Sequence, residues 1–151
     1  MIIKKIRENE IIWAHGNPVF CFVVEGTDAK GNHRKYENYV CFSQDGYTVD
    51  DSGYAVLQIT FRNVPAGTYR VYEKSALYYY LENVFANTSN ETVTKGASPS
   101  YGLLPEEIAY GNVTLTAVNN HASITFVNKK ARCDRYLHND VVKNTIPVNF
   151  N

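Results

Sequence analysis

The chain has 151 residues, 44% hydrophobic and 13% aromatic, with 15 Lys and Arg set against 15 Asp and Glu. A chain of this size buries roughly 68–70% of the surface its unfolded form exposes, so one ordinary globular domain can form without a metal or a disulfide lattice. Balanced charge with no basic run gives no footprint for nucleic acid, and no apolar stretch approaches the ~20 residues that span a bilayer, so neither a nucleic-acid partner nor membrane insertion is expected.

Taken in order, the chain reads as short strands separated by turn chemistry, with almost no sustained helical period. Strands are expected at 2–7, 19–26, 35–43, 54–63, 68–73, 77–85, 112–118 and 122–129. Between them lie AKGN, QDG, DDSG, VPAG and NNH, whose Gly, Asn, Asp and Pro supply the positive or fixed φ that turns need. This pattern predicts an all-β, two-sheet sandwich over residues 1–130. Residues 86–109 break the rhythm: they read as a long polar surface excursion with a short helical turn near Pro105, in which Glu106 and Glu107 form a solvated first turn. Residues 131–151, which include NTIPVNF, read as a final strand, a linker or a segment that pairs with a neighbour.

The usual catalytic signatures are missing: there is no GxGxxG, P-loop, HExxH or GxSxG. His15, His33, His121 and His138 are scattered near turns or in the tail, and Cys21, Cys41 and Cys133 form no CxxC pair, so no metal and no cofactor is expected. Cys21 and Cys41 lie in apolar runs, where a cysteine behaves as a small buried hydrophobe or pairs as a disulfide. The run Tyr78-Tyr79-Tyr80 puts at most Tyr78 and Tyr80 on one strand face, which fits sandwich packing better than a stacking platform.

The two-residue period of a strand places polar groups in apolar rows at three points. In GTYRVYE, Tyr69, Val71 and Glu73 share a face; in SITFVNKK, Ile124, Phe126 and Asn128 do. In the first strand either Ile3 and Lys5, or Ile2, Lys4 and Ile6, form one face, so a lysine follows an isoleucine inward in either register. Burial favours the uncharged amine of a lysine and the protonated form of a glutamate. A neutral amine is a nucleophile, a carboxamide an electrophile, and a protonated carboxyl can polarise the carbonyl and carry protons to the departing nitrogen. The product of that encounter is a Lys–Asn amide, with loss of ammonia. Without burial, the same residues are an exposed ion pair and a turn asparagine.

These segments carry a resemblance. Ile3-Lys4-Lys5, Gly67-Thr68-Tyr69-Arg70-Val71-Tyr72-Glu73 and Ile124-Thr125-Phe126-Val127-Asn128-Lys129 resemble, in order and parity, the motifs of the collagen-adhesin B-type domains of Gram-positive surface proteins and pilins. The likeness runs over roughly residues 2–130 and is most specific in the second and third motifs. It implies a prealbumin-like, inverse immunoglobulin sandwich and an autocatalytic intramolecular isopeptide bond. Lys5 would be the nucleophile, with Lys4 as the alternative, Asn128 the acceptor and Glu73 the acid/base partner. It also implies an extracellular stalk or adhesin module on the bacterial cell surface, whose partners are neighbouring domains and host protein or glycan, and which self-modifies once rather than turning over as an enzyme. Where the family usually continues Thr-x-Ala-Pro-x-Gly-Tyr after the glutamate, this chain has Lys74-Ser75-Ala76-Leu77-Tyr78.

Two other classes compete. A ligand-binding adhesin module would use the 86–109 excursion and surface tyrosines without any isopeptide bond. A small hydrolase would need a pocket of convergent titratable groups, and a thioester would rest on the short Cys41 and Gln44 pairing.

Overall fold

A computed structural model describes residues 1–100 and 102–131. Among these the strands are β1 (Ile2–Arg7), β2 (Val19–Asp28), β3 (His33–Cys41), β4 (Thr48–Val49), β5 (Tyr54–Ile59), β6 (Gly67–Glu73), β7 (Tyr79–Ala86), β8 (Glu91–Lys95), β9 (Ala109–Leu115) and β10 (Ile124–Lys130). A 3-10 turn at Glu8–Glu10 and one helical turn, α1 (Pro105–Ile108), interrupt them. The strands form two five-stranded sheets, ordered β4-β5-β1-β10-β7 and β3-β2-β6-β9-β8, packed as the expected sandwich.

The middle strands decide what meets in the interior. β1 is the centre of one sheet, antiparallel to β5 and parallel to β10, and β6 is the centre of the other, between β2 and β9. The core between them is aromatic: Phe22 meets Phe126 at 5.1 Å between ring centroids, and Phe20 meets Tyr79 at 5.1 Å and Phe42 at 5.9 Å. Each fully buried phenylalanine contributes roughly 1.5–3 kcal/mol by leaving water, and offset or edge-on ring contacts add to that.

Several expectations are corrected. The polar 86–109 stretch is not one free excursion, because Glu91–Lys95 pairs antiparallel with β9 as an edge strand. Its first residue is the cause. The buried Glu91 carboxylate accepts from the backbone N–H groups of Asn87, Thr88 and Ser123 and from the Thr88 hydroxyl, which folds the chain from one sheet into the other. α1 does start at Pro105, with the Glu107 carboxylate accepting from the Leu104 N–H at 2.8 Å.

Tyr78 does not share a strand face with Tyr80. It sits before β7 in a left-handed conformation, φ 73°, stacked on His15 at 4.3 Å, and this turn sets the parity that sends Tyr79 and Leu81 inward. Cys41 is exposed and Cys21 half-buried, both free, because β2 and β3 turn Phe20, Phe22 and Val40 inward and leave the cysteines on the other parity. Cys21 lies opposite Tyr39 and Cys41 opposite Val19, so they are not cross-strand partners. Cys133, His138 and the stretch 132–151 lie outside the described residues.

Candidate functional site

The first strand settles its own parity. Ile2, Lys4 and Ile6 point inward, and Ile3 and Lys5 alternate with them on the outer face. Lys5, the expected nucleophile, is therefore excluded from the interior: its ammonium pairs with Asp50 Oδ2 at 2.9 Å, with the two side chains 32% and 27% exposed. Lys4 occupies the inward place instead and is completely buried. The deciding signal was present in the sequence, since Ile2-Lys4-Ile6 carries one more apolar residue than Ile3-Lys5.

Glu73 ends β6, opposite Phe22 of β2, and its side chain crosses from the second sheet to the first. Asn128 sits on β10, beside Ile6 of β1 and Leu81 of β7. At that point the β10–β7 register shifts: Val127 faces Asn83 but Asn128 faces Leu81, leaving Glu82 as the extra residue of a bulge. Bulges bend a strand and re-aim side chains, and here Val127 and Asn128 are both buried.

The three groups converge on one carboxyl. Lys4 Nζ stands 3.2 Å from Glu73 Oε1, and Asn128 Nδ2 donates to Glu73 Oε2 at 2.8 Å. Lys4 and Glu73 have no exposed surface and Asn128 only 2%. The ammonium also lies 4.3 Å from the centre of the Phe20 ring, an aromatic wall that excludes water from the amine side.

Burial dominates the electrostatics. It lowers the Lys4 amine from the usual 10.5 to about 8, against the opposing charge of Glu73, and it raises Glu73 above the usual glutamate range, against the pull of Lys4 and the Asn128 hydrogen bond. Both shifts favour the uncharged pair. Lys4 Nζ, Glu73 Oε1 and Asn128 Oδ1 are also the buried side-chain polar atoms, among the described residues, that lack an aligned hydrogen bond. Native interiors rarely leave such atoms unmatched, and a catalytic role is one of the reasons they do. All of them belong to one cluster.

Among the described residues no three His, Cys, Asp or Glu side chains converge as a metal-ion site. His15, His33 and His121 stand apart from the cluster, as do Glu106 and Glu107. A cleft of about 690 Å³ opens at the far pole between residues such as Phe61, Tyr69, Leu115 and His121, and touches none of the three converging side chains. No family model, curated protein or solved structure matches the chain. Fold and site together therefore define a β-sandwich with an internal amine, acid and carboxamide.

Proposed function

We propose that the chain forms an intramolecular isopeptide bond between Lys4 and Asn128, promoted by Glu73, and serves as a covalently braced stalk or adhesin module of a bacterial surface protein. The observation that carries this reading is the single carboxyl that bridges the two nitrogens, Lys4 Nζ at Oε1 and Asn128 Nδ2 at Oε2.

The atoms balance without a cofactor. The neutral Lys4 amine adds through its lone pair to Asn128 Cγ; Glu73 accepts a proton from the amine and delivers one to Nδ2; the Cγ–Nδ2 bond breaks and ammonia leaves. A half-turn of the carboxamide exchanges Nδ2 and Oδ1, and the protonated carboxyl then donates to the carbonyl oxygen, polarising it for attack. Holding the partners in contact is worth an effective concentration of roughly 10⁵–10⁸ M, which is what an otherwise sluggish amide exchange needs.

The topology gives the bond a mechanical use. β1 and β10 are adjacent and parallel, so tension on the two ends shears them past one another. A link from Lys4 to Asn128 carries that load between the first and last described strands and relieves the sheets between them. Such a role fits an extracellular module joined to neighbouring domains, and a sandwich of prealbumin-like type. The reaction happens once per chain, so the protein is not a turnover enzyme.

A proteolytic digest tests the proposal. It should contain a branched peptide joining Lys4 to Asn128; linear peptides containing each residue unmodified would overturn it.

A further inference from the structure

The cluster is dry on one side and approachable on the other. A cleft of about 260 Å³ runs in between the β6–β7 connection, at Ser75, Ala76 and Leu77, and the segment Gly102–Pro105, and its floor includes Glu73 and Asn128. Lys4 does not line it. The amine is walled in by Phe20, whereas the cleft comes up against Glu73 and Asn128, whose side chains close its inner end and stay almost fully covered. The cleft is roomy enough for several waters, each needing roughly 30 Å³ of liquid volume, so solvent stands one layer of side chains from the Asn128 carboxamide.

From this asymmetry we infer that the cleft is the port of the site, through which ammonia leaves, and that water entering by it hydrolyses Asn128 when no amine stands at position 4. The inference rests on the isopeptide reading for the role of Glu73. Its chemistry is balanced by solvent alone. Water adds its oxygen to Asn128 Cγ, Glu73 takes the water's proton and passes one to Nδ2, the Cγ–Nδ2 bond breaks, and the products are a side-chain carboxylate at position 128 and ammonium. In the native chain Lys4 wins because it is held in place and water is not.

The test is a mass measurement on Lys4→Met, which keeps the volume of the buried stem while removing the amine. Incubated at neutral pH, this variant should gain one mass unit, mapped to Asn128, as ordinary aspartate without the isoaspartate that backbone-mediated deamidation produces. Adding Glu73→Gln should abolish the gain, and adding Ala76→Trp, which fills the cleft, should slow it several-fold. No gain, a gain rich in isoaspartate, or a gain indifferent to Glu73→Gln would overturn the inference. If Lys4→Met does not fold, Ala76→Trp in the otherwise native chain decides: made by cell-free synthesis, it should lose ammonia several-fold more slowly than the native chain, and an equal rate overturns the port. Should the native chain lose no ammonia at all, the isopeptide reading fails, and that outcome is separate from a native chain that loses ammonia beside a Lys4→Met chain that stays unchanged.

Discussion

Lys4 Nζ and Glu73 Oε1 stand 3.2 Å apart although their residues belong to the middle strands of opposite sheets. Removing two charges from water costs several kcal/mol per ion, and a well-packed apolar pair of the same volume is often as stable or more so. Stability alone does not explain a lysine and a glutamate in the centre of an aromatic core. The proposed cross-link would account for them, because it replaces the Lys4 charge by a neutral amide and leaves Glu73 protonated.

The two lysines of β1 should behave oppositely. Lys4→Met is expected to abolish the loss of ammonia. Lys5→Met should leave it intact and cost less than about 1 kcal/mol, since its pair with Asp50 is partly exposed and screened. Intact masses and thermal melts of the two variants, run side by side, check this.

Glu73→Gln keeps the shape of the acid but can neither take up nor deliver the proton. The chain should retain its full sequence mass and lose the ring that joins β1 to β10. By analogy with a disulfide closing a loop of order 100 residues, the proposed ring would stabilise by about 4–5 kcal/mol. Urea unfolding of the variant against the native chain measures the loss, and equal midpoints would contradict it.

The lowered Lys4 pKa predicts a pH dependence in chains that cannot cross-link. Burial lowers the Lys4 amine of the native chain from 10.5 to about 8, and Asn128→Ala keeps that burial, so its folded amine should also titrate below the unfolded one. Between those values the unfolded state binds a proton that the folded state does not, so stability should rise with pH across the window. The double variant Lys4→Met, Asn128→Ala removes the group and should lack this rise. Denaturation midpoints from pH 7.5 upward, compared between the two, give the difference.

Phe20 should matter to both fold and reaction. Its ring is fully buried against Phe42 and Tyr79, so Phe20→Ala is expected to cost about 3–5 kcal/mol. By admitting water beside Lys4 it should also slow the loss of ammonia, whereas Phe20→Leu should preserve much of both. Time courses by mass spectrometry separate the two effects.

Much of this was legible in the sequence, and the failures have physical causes. The alternation in GTYRVYE and SITFVNKK put Glu73 and Asn128 on inward faces, where both are buried, because a period of two fixes a face once a strand's extent is known. MIIKKIR allowed two registers, and the extra isoleucine on the Ile2-Lys4-Ile6 face, the signal that favours Lys4, was outweighed by the motif resemblance that pointed to Lys5. β8 was hidden because ETVTK is polar and joins its sheet through the buried Glu91 and a long-range pairing with β9, which composition does not reveal. The cysteines were misplaced for a related reason. An apolar run such as VFCFVV buries one parity more fully than the other, and Cys21 falls on the less buried one.

The most direct measurement is the intact mass of the purified native chain. It should fall below the mass of the sequence by one ammonia, with the deficit gone in Glu73→Gln and in Asn128→Ala. A native chain at its full sequence mass would contradict the proposed cross-link.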